Sequence, residues 1–422
     1  MKKIDLFAVS SIVIGTILEW YDFALLGLMA PLISNLFFPS KSAIISLMAT
    51  FSVFASGFLV RPIGGIIFGH IGDRHGRRTA LSSTVIWMAL PTTLIGLLPT
   101  YHSIGILSPL ILILLRLIQG IASSGEYPGA ICYLAEIAPP TQRGLWGSVS
   151  MFGVGGGLLL GSLLNLLLSS HLSTDQMNAW GWRIPFLIGF PLGIVGWYLR
   201  CKVRESDIFI SAKLTTETVQ LPISEIIKFN LKNLSKVIVL FSLGPVSFYL
   251  GFVYIDTYLV STHRIALHVA MINNTLSTLV LILFIPFFGY LSDKVNRKYI
   301  MFSGASCLLI FFYPIFILFL SGSHGLLLGQ ALLAVFIAMF VGPIAATTTE
   351  IFSTFTRYSG VSMGLNIGAS VFGGTCPLLA TYLVQSSGFN EMPCIYPIFF
   401  ALLCLFVIGY LPSNQTKLLD AI

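Results

Sequence analysis

Charge is scarce in this sequence. Its 16 acidic and 23 basic residues make up 9% of 422 positions. Soluble domains carry about a quarter, because a solvated surface needs charge. A chain this long, folded in water, would expose far more surface than these side chains can cover, which excludes an ordinary soluble enzyme. Cysteine is sparse too: the six are scattered, with no CxxC pair, so neither a metal knuckle nor a disulfide framework is expected. Long polar loops are missing. No P-loop, HExxH, aspartate-rich pair or Ser/His pattern occurs in a loop, and none has room for a catalytic domain, so no enzymatic activity is expected. What fills the sequence is hydrocarbon: 56% hydrophobic residues, 33 phenylalanines and a mean hydropathy of +0.91. The 39 glycines and 20 prolines suit transmembrane helices, which tolerate both. The net charge of +7 requires no nucleic acid, since cationic loops facing the cytoplasm produce it.

A span needs about 20 apolar residues, and the chain offers twelve runs of that kind: 9–36, 43–71, 79–99, 105–137, 144–170, 183–201, 235–261, 267–291, 299–320, 325–351, 358–386 and 394–411. The first follows Met-Lys-Lys like a signal peptide, but it runs past Gly15, holds Glu19 and Asp22, and lacks a small-residue cleavage site. It reads as a span. With the N-terminus inside, 18 of the 23 basic residues, from Lys2 and Lys3 to Lys417, fall on one side, and only Lys41, Arg183 and Arg264 on the other. That asymmetry predicts both termini in the cytoplasm.

The longest polar stretch, 202–233, divides the chain into 1–201 and 234–422. Within Leu221–Leu234, Ile223, Ile226, Ile227 and Leu234 form one stripe opposite lysines. This reads as a helix in the membrane interface or as a solvated linker helix. The halves carry matching text. Gly69, Asp73, Arg74, Arg77 and Arg78 recur as Gly289, Asp293, Lys294, Arg297 and Lys298, and Glu136 with Arg143 recurs as Glu350 with Arg357. Two homologous six-helix bundles around a central site are a transporter architecture. Asp73 suits a helix N-terminus, and the basic residues can pair with carboxylates such as Glu136, forming a latch that closes the cytoplasmic side. The alternative is that these charges only set topology.

Gly-x-x-x-Asp-Arg-x-Gly-Arg-Arg between spans two and three, and Arg116-Leu-Ile-Gln-Gly in span four, resemble the signature motifs of the major facilitator superfamily. Glu19-Trp-Tyr-Asp-Phe, Arg61-Pro-Ile-Gly-Gly, Gly125-Glu-Tyr, Gly181-Trp-Arg-Ile-Pro-Phe and Thr356-Arg-Tyr-Ser-Gly are similar to its metabolite:proton symporters, the proline/betaine, citrate, alpha-ketoglutarate and shikimate permeases. The resemblance covers residues 15–376 and implies the superfamily fold: an all-α membrane protein of 12 transmembrane helices in two pseudo-symmetric six-helix bundles. It departs at Pro128, where a glycine is usual and a kink beside Glu126 is expected, and at the short C-terminus, which lacks an osmosensory coiled coil. Span five carries Gly153, Gly157 and Gly161, a close-packing stripe, without the antiporter proline.

Ionisable groups at membrane depth are functional candidates. Here they are Glu19, Asp22, Arg61, Arg116, Glu126 and Asp256. Glu19 and Asp22 are three positions apart, so one is expected to hold a proton near neutral pH. The resemblance implies that Asp22 pairs with Arg116. A proton on Asp22 then frees Arg116 to hold a substrate carboxylate, unless the pair is a static bridge. Arg116, Gln119, Ser123 and Tyr127 share one face of span four. Arg61 can pair with Glu19 or Glu126. Tyr21, Tyr254, Asp256 and Asn366 complete the candidate lining; tyrosines can hold a quaternary ammonium or belong to the membrane belt. Four acids against two arginines favour a zwitterion over a multi-carboxylate ligand. The expectation is a monomeric, proton-coupled symporter of a small solute in the bacterial inner membrane, energised by the proton gradient and needing no cofactor or metal.

Overall fold

The structure, a computed structural model, describes residues 5–41, 43–215, 222–261, 265 and 267–411. Lys2, Lys3, Leu221, Arg264 and Lys417, used above, lie outside them. Twelve helices among the described residues are long and apolar enough to cross a membrane. They are α1 Leu6–Leu28, α2 Ser52–Arg74, α3 Arg77–Leu97, α4 Leu107–Ile137, α5 Pro140–Asn165, α6 Met177–Lys202, α7 Leu231–Val260, α8 Val269–Lys294, α9 Arg297–Leu320, α10 Ser323–Thr349, α11 Arg357–Ser387 and α12 Met392–Gly409. Each matches one of the twelve apolar runs. The outward surface keeps the hydrocarbon that composition announced: Trp87, Phe190, Phe287 and Leu378 are exposed, as lipid-facing side chains are.

The departures from straight helices have local causes. The first apolar run breaks at Met29, and a second helix, Ala30–Phe37, starts there with proline in its first turn. The second run bends at Val60, because Pro62 cannot donate to the preceding turn. In α7 a π-helical turn, Tyr249–Tyr254, follows Pro245, and α11 carries another at Asn366–Gly373. Pro128, by contrast, sits inside an uninterrupted helix and does not break α4. The linker forms two short helices, Asp207–Thr215 and Pro222–Phe229. The second ends at Asn230, so the expected stripe to Leu234 is split. Ile226 is buried, whereas Ile227 and Phe229 stay exposed.

Glycines set the distance between α1 and α5. A Cβ on Gly157 would lie 2.4 Å from the Ile17 carbonyl and 2.7 Å from Trp20 Cβ, and one on Gly153 2.8 Å from Thr16 Cβ. This close approach sets the Glu19–Trp20 turn directly against α5.

The first half is also held by a charge pair that the sequence did not reveal. Arg200 reads as a topology-setting residue at the cytoplasmic end of α6, yet it is buried. Its guanidinium grips both carboxylate oxygens of Glu126, with Nη1 2.5 Å from Oε2, and donates to the Leu81 carbonyl at 2.7 Å. Thr84 donates to the same carboxylate at 2.6 Å. Glu126 is therefore a tie between α3, α4 and α6, not a free cavity acid. Removing one member leaves a buried, uncompensated charge. Glu126→Leu or Arg200→Met alone is expected to lower stability by about 3–5 kcal/mol, and the double replacement to recover most of it. Thermal unfolding in detergent checks this; additive losses would contradict the pairing.

Candidate functional site

The repeated motifs meet at one end of the bundle and cross over between the halves. Asp73 ends α2 and accepts the backbone N–H groups of Tyr358 at 3.0 Å and Ser359 at 2.8 Å, in the first turn of α11. Asp293 ends α8 and accepts those of Gly144 and Leu145, both at 2.8 Å, where the α-helical part of α5 begins at Arg143 after a 3-10 turn. Each aspartate thus caps a helix of the opposite half, which is where its charge meets exposed donors and the positive end of a helix dipole.

Beside each cap lies a buried glutamate. Arg77 reaches Glu136 at 3.0 Å and Asp73 at 3.0 Å. Arg357, from the other half, reaches Glu136 at 2.6 Å. The second repeat pairs Arg297 with Glu350 at 2.6 Å, and Arg143 stands 3.8 Å from the same carboxylate. Gly69 is required here: a Cβ would sit 2.7 Å from Ser359 Cα. Arg74 and Arg78 are exposed. Arg78 donates to the Cys201 carbonyl, and topology remains the simplest account of the exposed Arg74.

Three latch residues were not anticipated. Glu205 accepts the backbone N–H groups of Arg77 and Arg78, both at 3.1 Å, and so caps α3. Burial pushes its carboxyl above the ordinary range, against the pull of those donors. Ser206 donates to Glu136 at 2.5 Å. Tyr358 donates to the Gly125 carbonyl at 2.5 Å. The sequence signal was a Glu-Ser pair directly after α6, which reads as ordinary linker.

Between the halves lies a cavity lined by residues of both. Its charged lining is one acid, Glu19, and one base, Arg61; Ser123, Tyr127, Tyr249 and Asn366 add polar groups, and the wall from the second half is otherwise mostly apolar. Arg61 makes no ion pair among the described residues. Its guanidinium lies over Phe58 at 4.6 Å, Phe23 at 4.7 Å and Trp20 at 6.0 Å. Glu19 Oε2 is buried without a hydrogen-bond partner. The two interact electrostatically but leave their polar atoms unspent. Asn366 closes the floor, donating to the Ser124 carbonyl across the interface at 2.9 Å, beside Ser362 at 3.1 Å.

Several candidates lie elsewhere. Asp22 and Arg116 form no direct ion pair among the described residues. Thr92 intervenes, donating to Asp22 at 3.0 Å and accepting from Gln119 at 2.6 Å, while Gln119 accepts from Arg116 at 3.1 Å. Arg116 lies behind the aromatic cluster, over Phe23 at 4.3 Å and Phe54 at 5.2 Å. Phe23 therefore separates Arg116 from the cavity, and the shared face of α4 divides: Ser123 and Tyr127 line the cavity, Arg116 and Gln119 do not. Tyr21 is buried and donates to the Pro185 carbonyl at 2.7 Å. Tyr254 stacks on Tyr258 at 5.8 Å in the second half. Asp256 accepts from Asn274 at 2.5 Å and Gln330 at 2.8 Å. A small void adjoins Glu19, Asp22 and Glu126.

The caps make the closed end testable. Cys132 is buried one turn from Glu136. Gly69→Ala and Asp73→Asn are expected to raise maleimide labelling of Cys132, read by mass spectrometry, several-fold. Gly409→Ala, where a Cβ meets open space, is the control. Labelling unchanged in both variants would mean that the caps do not hold this end shut.

The family models for "Sugar (and other) transporter" and "Major Facilitator Superfamily" match residues 8–220 and 259–420. A putative proline/betaine transporter of Staphylococcus aureus is 37% identical over 404 residues, covering 94% of this chain and 85% of its own. The glycine betaine/proline/ectoine/pipecolic acid transporter OusA of Dickeya dadantii is 34% identical, covering 97% and 83%. Among solved structures, the proton:xylose symporter XylE bound to 6-bromo-6-deoxy-D-glucose superposes with a TM-score of 0.81 at 17% identity, covering 99% of this chain and 98% of its own. Crossed caps, paired latches and a central cavity between two six-helix halves thus occur in a chain that belongs to the major facilitator superfamily, as an integral membrane transporter and not an enzyme.

Proposed function

We propose that the chain is a proton-coupled symporter that imports a small zwitterion, proline or betaine, by alternating access. The carrying observation is the charge of the cavity: one carboxylate, Glu19, and one guanidinium, Arg61, both with capacity left for a ligand. A zwitterion presents one carboxylate to Arg61 and one cationic nitrogen to Glu19. Trp20, Tyr127 and Tyr249 supply aromatic faces for that nitrogen, a contact open to a quaternary ammonium as well as a secondary amine. A citrate-like ligand would leave two carboxylates beside an apolar wall, at a high desolvation cost. The names of the relatives agree with this reading.

The coupling step belongs to Asp22. The void shared with Glu19 gives a proton a short route between the two carboxyls. A proton on Asp22 weakens the Thr92–Gln119–Arg116 chain, which ties α1 to α3 and α4. This relay replaces the direct exchange of partners expected from the resemblance: Arg61 takes the substrate carboxylate, and Arg116 responds through Gln119. With Asp22 protonated and the charged ends of the solute paired with Glu19 and Arg61, the halves then rock. The latch end faces the cytoplasm in this reading, as the basic loops require. The boundaries 1–201, 202–233 and 234–422 describe two rocking bundles and the linker, and a monomer in the bacterial inner membrane suffices.

Proteoliposomes with labelled proline, betaine, citrate, alpha-ketoglutarate and shikimate test this. Proline or betaine is expected to accumulate only with an inward proton gradient. Uptake indifferent to the gradient would leave a uniporter, and gradient-driven efflux alone an exporter. Arg61→Met is expected to weaken solute binding at least tenfold, about 1.4 kcal/mol. Asp22→Asn is expected to abolish accumulation while sparing counterflow; full accumulation in that variant contradicts the coupling role.

A further inference from the structure

The second half contains an intramembrane carboxylate that the proposed cycle does not use. Asp256 lies in the last turns of α7, just beyond the π-helical turn Tyr249–Tyr254. Two side-chain amides hold it. Asn274 of α8 donates to Asp256 Oδ2 at 2.5 Å and to the Phe252 carbonyl at 2.6 Å. Gln330 of α10, fully buried, donates to Asp256 Oδ1 at 2.8 Å and to the Gly251 carbonyl at 3.0 Å. Each amide thus bridges the carboxylate to a carbonyl of the π turn. The Gln330 Oε1 atom is buried with no partner.

The arrangement echoes the first half. There Asp22, on the first helix, is linked through Thr92 and Gln119 to Arg116 on the fourth. At the 214-residue offset that relates Glu136 to Glu350, Gln330 stands in the place of Arg116. Asp256 has no acidic counterpart at that offset, but it likewise ties the first helix of its half to the fourth, here directly and through a neutral amide. Around Asp256, α8 offers Asn274 and α10 offers Gln330, both neutral. Tyr254 and Tyr258 lie on its own helix, and Tyr258 turns to Asn390 at 2.7 Å. Neither His324 of α10 nor Glu391 before α12 makes a hydrogen bond or ion pair with it among the described residues. A half-buried carboxylate within a membrane span, with no counter-charge paired to it among the described residues, is a place for a cation.

We propose that Asp256, with Asn274, Gln330 and the carbonyls of the π turn, is a second cation site that takes one small monovalent cation, a proton or a sodium ion. The oxygen set suits either: a carboxylate, main-chain carbonyls at an irregular helix segment, and amide oxygens within a rotation of their present place. The site communicates with the cavity in two ways. Thr278, which lines the cavity, donates to Asn274 Oδ1 at 3.3 Å. Tyr249, which opens the π turn, also lines the cavity and packs on Phe58 of the other half at 6.5 Å. Cation entry releases the amides from Asp256, and the π turn carries that change to Tyr249. The coupling to solute rests on the symporter reading; the site itself does not.

The test therefore has a solute-free arm and a transport arm. Purified full-length protein is titrated between about pH 5 and 9, and 22Na binding is measured at equilibrium, for wild type and Asp256→Asn. Loss of one titrating proton or of one bound sodium in the variant is the expected result, and which is lost identifies the cation. Identical proton and sodium binding in the two proteins overturns the proposal. In proteoliposomes, the reversal potential of proline or betaine flux is expected to give two cations per solute, falling to one in Asp256→Asn. A wild-type ratio of one overturns the coupling even if the variant fails to fold. Absence of solute flux under every gradient sinks the symporter reading instead, and the binding arm still decides the site.

Discussion

Two aspartates placed on helix ends of the opposite half are the constraint on which the rest of the molecule depends. Asp73 binds the start of α11, and Asp293 the start of α5. A capping carboxylate contributes about 0.5–2 kcal/mol. Two of them across one interface amount to roughly 1–4 kcal/mol, comparable with the gap of a few kcal/mol between two populated conformations. Such a bias can hold one end shut and still be overcome by a ligand. The glutamate–arginine pairs beside the caps are buried, where single losses are costly, so they add register and an all-or-none character to closing.

The cavity inherits its shape from that closure. Asn366 and Ser362 reach Ser124 only because Gly65 and Gly69 let α2 and α11 touch. The walls are unequal: the first half supplies Glu19, Arg61 and Trp20, and the second supplies mainly hydrocarbon with Tyr249 and Asn366. On the proposed reading, a ligand with two charged ends would lie along the first half, against the more apolar wall of the second. The aromatic cluster of Phe23, Phe54 and Phe58 then has a separating role, with Arg61 on the cavity side and Arg116 behind it. Two arginines close in space are kept in different circuits by one ring.

Much of this was legible in the residues. Twelve spans follow from apolar length alone, since a helix must bury its backbone polar groups in lipid. The latch followed from the repeat, because two copies of Gly, Asp and paired Arg in equivalent loops imply equivalent partners. The site was legible only in part. Glu19, Arg61, Ser123, Tyr127 and Asn366 line the cavity, but Glu126, Asp256, Tyr21 and Tyr254 do not. Their assignment required knowing which neighbour arrives first. Glu126 is taken by Arg200, whose position at the end of α6 gave no hint that its long side chain would fold back into the bundle. Asp22 is joined to Arg116 by two neutral side chains whose part in a relay no spacing announces.

Sequence by itself determined the solvent, the number of crossings, the two-fold repeat and the inventory of costly charges, because hydrophobic length and charge placement act locally along a chain. Tertiary structure decided which of those charges are spent on each other and which are left for a ligand. That choice depends on helices far apart in sequence approaching within a few ångströms, and on which glycine permits the approach. The scarcity of charge excluded a soluble protein; its distribution in space leaves one acid and one base facing the cavity.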